Sequence, residues 1–349
     1  MSGYHVATEH KLAMLRYAGT DECLNLLLAI ARDALDEPAS NGRVSDTAIH
    51  ATAGWARGIA FALENAVPYY WSPETCDALS AAAASIPDFT LRREDLPTPA
   101  GYLYFSRPLK VHRESEDLAD PETALGDLVA ISWQIFSNLG RPTLQKAGPT
   151  SINEAEMTDE WWNRTVTNAN NIRVADGVAV NMYVQTAKGR TIPISNFSWD
   201  FGQSCAEVWQ RGHVQIGNDG KPLFSEQMQS ELQYFSAALM FMQQEIFPTR
   251  RETLPRSTRR RLLAQGYDPG SETMTPNVVY LRRVSHKTDS DDDVEHREYT
   301  SRFWVRGHWR NQWYETDQRH KPIWIHPFIK GPDDKPIAAR RETLVAVVR

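Results

Sequence analysis

The sequence predicts an α+β protein: a helical N-terminal part followed by a mixed antiparallel sheet with a long packed helix. Apolar residues recur at helical spacing from about Lys11 to Ser85. Beyond Pro97 the pattern changes to short β-branched and aromatic runs bounded by turn residues. Inside that strand-rich part, Leu232, Phe235, Ala238, Leu239, Met242 and Ile246 form one apolar stripe, which marks a long helix over about 225–247. The change of period divides the chain into a helical domain, residues 1–95, and an α+β domain, residues 96–349.

The first helical stretch carries Leu12, Leu15, Leu24, Leu27, Leu28, Ile30, Ala31 and Leu35, and Pro38 to Gly42 ends it. Ser45 or Asp46 caps a second helix through Ile49, Trp55, Ile59, Leu63 and Val67, stopped by Pro68. Ser72 followed by Pro73 opens a third, alanine-rich helix to about Ser85, because a proline costs nothing where the N–H has no helical partner. Tyr69-Tyr70-Trp71 reads as core joining the second and third helices. Pro97 to Gly101 is a turn, Tyr102–Phe105 and Leu128–Phe136 are strands, and 138–171 is an irregular insertion docked by Trp161 and Trp162. Gly177–Gln185 and Thr191–Phe197 flank Lys188-Gly189 as a hairpin. Val278–Leu281 is a further strand, leading through an acidic tip at Asp289–Asp293 to a basic aromatic strand at 301–314. The segments 322–331 and 344–348 complete a C-terminal antiparallel sheet with the long helix against it.

Composition excludes several classes. No apolar run approaches a membrane span, and the N-terminal residues His5, Glu9 and Lys11 do not fit a signal peptide, so a cytoplasmic protein without a membrane partner is expected. Cys23, Cys76 and Cys205 are odd in number and far apart, which argues against a disulfide framework or a zinc site. The net charge of −6 is unevenly spread: residues 250–349 hold 20 Lys/Arg and 14 Asp/Glu, the remainder 18 and 30. A basic C-terminal third suits an anionic partner, nucleic acid first. The cluster Arg250, Arg251, Arg256, Arg259, Arg260 and Arg261 either meets phosphates or is a solvated face.

Two segments concentrate the candidate chemistry. In Gly202-Gln203-Ser204-Cys205-Ala206-Glu207, Ser204 and Glu207 fit the Ser-x-x-Glu capping box, with Gly202 free to take an unusual backbone angle. Ser204 lacks the context of a nucleophile elbow, so the motif is read as structural. In 301–314, three Trp, one Tyr, three Arg and a His fall within fourteen residues. Alternation puts Trp304, Arg306, His308 and Arg310 on one face and Phe303, Val305 and Trp309 on the other, with Gly307 marking a bulge or close approach. His308, His320 and His326 lie amid Arg306, Arg310, Arg319, Lys321 and Lys330. If the strands bring them together, they are candidates for metal-independent RNA cleavage, His moving protons and Arg stabilising phosphoryl charge. Trp304, Trp309, Trp313 and Gln312 offer stacking and hydrogen-bonding surfaces for RNA or another partner, or else belong to the core. No phosphate-cradling glycine loop, dinucleotide fingerprint, carboxylate pair or tight metal-ligand spacing occurs, so neither cofactor nor metal is expected.

Gly202-Gln203-Ser204-Cys205-Ala206-Glu207-Val208, followed about a hundred residues later by Arg306-Gly307-His308-Trp309, resembles the second AcrVA family, type V-A anti-CRISPR proteins and their phage, plasmid and bacterial relatives. Leu96–Tyr102 and Gly307–Trp313 are similar to actinobacterial members, and the motif-bearing match runs from about Pro97 to Gly331. The resemblance implies a protein acting in a bacterial host cell that lowers production of a CRISPR effector nuclease. It would recognise the nascent effector polypeptide and promote loss of the ribosome-associated messenger RNA. A ribonuclease or toxin centred on His308, and a non-catalytic nucleic-acid-binding protein, are the alternatives.

Overall fold

The computed structural model describes residues 3–34, 46–111, 125–136, 176–186, 188–214, 226–282, 301–316, 318–332 and 335–336. The predicted insertion at 138–171, the acidic tip at 289–293 and the strand at 344–348 lie outside the described residues. The chain is α+β and forms two compact units, residues 1–282 and 283–349. The division falls late because the N-terminal helices pack onto the sheet as one of its layers, so a change of sequence period at residue 95 is no boundary between cores.

The first unit begins with α1 (His5–Ala18), α2 (Asp21–Ala34) and α3 (Asp46–Asn65). The stretch expected as one first helix is two. Gly19 closes α1 by donating its N–H to the Arg16 carbonyl at 3.3 Å, and the Thr20 hydroxyl accepts the Cys23 N–H at 3.2 Å to start α2. Next come β1 (Val67–Trp71), α4 (Pro73–Ala83), β2 (Ala100–Leu109), β3 (Leu125–Phe136), β4 (Gly177–Thr186) and β5 (Thr191–Asp200). They are followed by α5 (Cys205–Val214), α6 (Glu226–Met242), β6 (Thr249–Arg251), α7 (Arg256–Ala264) and β7 (Asn277–Val279). As expected, the Ser72 hydroxyl accepts the Thr75 N–H at 3.3 Å with Pro73 in the first turn of α4, and β4 and β5 form the hairpin around Lys188-Gly189.

One seven-stranded sheet organises the unit in the order β5-β4-β3-β2-β1-β7-β6. β1 runs parallel to β2 and β7, and the remaining pairs are antiparallel. Tyr69-Tyr70-Trp71, expected as a helix–helix joint, belongs to β1 near the middle of the sheet. Pro68 is tolerated there because β7 pairs only from Tyr69 onward, leaving the proline with a strand on one side only.

Helices cover both sheet faces. On one, α4 and α6 pack against an aromatic layer. Phe241 stacks on Trp71 at 6.3 Å, and Phe235 meets Trp133 and Trp199 at 6.2 and 6.5 Å. The long helix thus packs on the central sheet through Phe235, a residue of the stripe that the sequence marked. On the other face α1, α2 and α3 lay Met14, Leu27, Ile59 and Leu63 over Tyr102, Ala130 and Tyr183. This second layer is polar as well as apolar: the Ser132 and Tyr183 hydroxyls bond at 2.9 Å, and the Trp55 indole N–H reaches the Asn181 carbonyl oxygen at 3.3 Å. No described helix is long and apolar enough to cross a membrane.

The second unit holds β8 (Phe303–Val305), β9 (His308–Tyr314), β10 (Arg319–Ile325) and β11 (Phe328–Lys330). β9 pairs with β10 and β8 with β11, both antiparallel, so one long hairpin is interrupted at Arg306-Gly307 on one side and His326-Pro327 on the other.

Candidate functional site

The Gly-Gln-Ser segment is a structural clasp. Gly202 takes φ +88°, a region that favours glycine. The Ser204 N–H donates to Glu207 Oε2 at 2.7 Å while the Glu207 N–H donates to Ser204 Oγ at 3.2 Å, completing the expected capping box at the start of α5. Asp88 adds a second cap, accepting the Ala206 N–H at 3.0 Å. Backbone bonds from Gly202 to Leu91 at 2.8 Å, from Leu91 to Gln203 at 3.1 Å and from Cys205 to Phe89 at 2.8 Å lace the segment to 89–91. The Ser204 hydroxyl oxygen thus serves as a helix cap.

The β9–β10 hairpin carries the predicted binding residues except Trp304, which is in β8, and Arg306, which is at the interruption. Its register pairs His308 with Ile325, Trp309 with Trp324, Arg310 with Ile323, Gln312 with Lys321, Trp313 with His320 and Tyr314 with Arg319. Directly opposite residues share a face. One face therefore shows His308, Arg310, Gln312 and Tyr314 beside Arg319, Lys321, Ile323 and Ile325. The other shows Trp309, Asn311 and Trp313 beside His320, Pro322 and Trp324. Trp324 is fully buried and meets Trp309 edge-on at 5.4 Å, and His320 meets Trp313 at 5.1 Å. The tryptophan side is the hairpin's packed side near Trp324 and opens toward the turn, where Trp313 is exposed. The Trp304 side chain lies outside the described atoms.

Gly307 explains the Gly-His-Trp triplet. A Cβ there would stand 2.4 Å from the Trp324 ring and 3.0 Å from Pro327 Cδ, so only glycine lets the indole cross the backbone. With Trp324 seated, Trp309 turns inward and His308 turns out.

The polar face is internally organised. Arg310 donates to Gln312 Oε1 at 2.8 Å, which orients the guanidinium, and the Lys321 ammonium stands 5.2 Å above the Tyr314 ring. The Arg306 carbonyl lies 3.1 Å from His308 Nδ1. A carbonyl only accepts, so His308 Nδ1 is the donor in this contact, which orients the ring. Arg306, His308 and Arg310 are exposed.

The three histidines do not converge. His320 is on the opposite face from His308 and five positions along β10 from its partner Ile325, roughly 17 Å at the usual strand rise. His326 follows Ile325 directly, at the interruption, and partial burial lowers its pKa. Among the described residues no three His, Cys, Asp or Glu side chains stand close enough to hold a metal ion.

Sequence reasoning missed a buried lysine and a partly buried histidine on α1. Lys11 is fully buried and donates to the Ala66 carbonyl at 3.0 Å and to the Thr273 carbonyl, tying α1 to the end of α3 and to the loop before β7. Burial lowers its pKa to about 7. His10 bridges the Tyr102 hydroxyl and, at 2.9 Å, the Thr191 hydroxyl, and burial lowers it to about 4, so it is neutral at pH 7. Nothing in the sequence around them differs from an ordinary solvated helix face. No protein-family model, curated protein or solved structure matches the chain.

Proposed function

We propose that this protein is an anti-CRISPR-like inhibitor that lowers production of a type V effector nuclease. It recognises the nascent effector polypeptide and promotes loss of its messenger RNA in the bacterial host. The resemblance of Gly202–Val208 and Arg306–Trp309 to the second AcrVA family supports the target. The observation that carries the RNA side of the reading is the hairpin's polar face: Arg310, Arg319 and Lys321 beside His308, Gln312 and Tyr314 on one ladder. Arginine forks and lysine neutralise phosphates, and Tyr314 adds an aromatic surface for an unpaired base. Expression beside a type V-A effector tests it: effector protein and transcript should both fall, and unchanged levels overturn the reading. Replacing Arg310 and Lys321 together by Gln should restore the transcript.

One observation favours RNA cleavage as a second reading. The contact of His308 Nδ1 with the Arg306 carbonyl orients an exposed imidazole able to move protons, and Arg310 on the same face can meet phosphoryl charge. Purified protein that leaves diverse RNAs intact removes this reading, as does a His308→Ala variant with undiminished effect on transcripts. A purely nucleic-acid-binding role would appear as steeply salt-dependent affinity with neither cleavage nor effector loss.

A further inference from the structure

We propose that the arginine face built by β6 and α7 of the first unit is a docking surface for the phosphate backbone of a double-stranded nucleic acid. It uses none of the hairpin residues and does not rest on the anti-CRISPR reading.

Residues 250–261 hold six arginines and one glutamate. β6 is the last strand of the sheet, and all three of its residues are exposed. α7 buries only Thr258 and Leu262, and Leu262 packs in a cluster with Leu12, Leu254 and Met274. With those two positions turned inward, Arg256, Arg259 and Arg260 project to solvent. The flanking arginines are partly neutralised: Arg250 by Glu252 at 3.2 Å, Arg251 by Glu272 at 3.9 Å, and Arg261 by Glu9. Among the described residues no carboxylate pairs with Arg256, Arg259 or Arg260, and the first turn of α7 has no acidic side chain.

A surface that only keeps a protein in solution intersperses both signs of charge. Here Arg259 and Arg260 stand three and four residues after Arg256, about 5–6 Å from it between Cβ atoms, so each pair repels until an anion arrives. Such a like-charged group can meet phosphates, and arginine's planar fork binds each of them bidentately. The choice of a duplex follows from what the face lacks. Neither β6 nor α7 carries an aromatic, so the stacking platform that single strands need is missing. Leu263, 61 % exposed, is the single large apolar side chain that α7 shows to solvent, too little for a helix lying in a membrane interface. Contacts to phosphate alone carry no base readout, so binding is independent of sequence.

The test uses the full chain, a short duplex RNA of arbitrary sequence and its single strand, with affinity followed against salt. Wild type should favour the duplex. The triple variant Arg256→Gln, Arg259→Gln, Arg260→Gln should bind it at least about tenfold more weakly, with a log–log salt slope shallower by about 2–3. The triple Lys variant at the same positions should keep the slope. Three results each overturn the proposal: wild-type duplex binding in the Gln variant, a slope lost in the Lys variant as well, or binding to acidic peptide or anionic vesicles in place of duplex.

Discussion

At Gly307 even a methyl group would collide with the Trp324 ring at 2.4 Å, and that ring is packed against Trp309. Gly307→Ala should therefore destabilise the hairpin by about 1–3 kcal/mol, the usual cost of overpacking. Tryptophan emission and protease resistance of the second unit should report it, and an unchanged Trp324 environment would count against this account. Lys11 and His10 set a pH dependence with a definite sign. Both have folded pKa values below their unfolded ones, about 7 against 10.5 and about 4 against 6.5, so the unfolded chain binds more protons in each window. His10 should cost stability as pH falls from 6.5 to 4, roughly 3 kcal/mol. Lys11 should add stability as pH rises from about 7 to 10.5, on the order of 5 kcal/mol. Urea midpoints against pH test this directly: Lys11→Met should flatten the alkaline rise, even though it also leaves the Ala66 and Thr273 carbonyls without their donor.

Helix ends were legible because their chemistry is local. Ser204 with Glu207 and Ser72 with Pro73 announce helix starts within four residues, and the bonds they imply are present. Ser204→Ala should cost about 0.5–2 kcal/mol by freeing the Glu207 N–H, read as a lower urea midpoint with an unchanged slope. The apolar stripe on α6 was equally plain, yet which layer it joins depends on Trp71, Trp133 and Trp199, contributed by three separate strands. Phe235 is fully buried among them. Phe235→Ala should remove about 3–5 kcal/mol, a loss that thermal melting of the first unit would show. β1 was missed for the opposite reason. Five residues between two helices, one of them proline, carry no strand period, and only pairing with β2 and β7 makes them a strand.

The first unit contains the seven-stranded sheet and the helices on both its faces, so residues 1–282 expressed alone should fold. Cooperative thermal unfolding of that fragment is the expected result, and a molten fragment would show that the second unit is needed. Local signals in the chain specified an α+β protein, its helix caps, its β4–β5 hairpin, and a basic aromatic strand broken at Gly307. Those features depend on residues a few positions apart. Tertiary structure decided what depends on long separations: the place of β1 between strands about 35 and 210 residues away, and the burial of Lys11 and His10 under distant carbonyls and hydroxyls. It also decided the relation of the three histidines. The β9–β10 register pairs His308 with Ile325, and because side chains alternate along a strand, a slip of one residue would have put His308 and His320 on the same face. Composition lists which groups a chain owns, but the register of its ladders decides which of them meet.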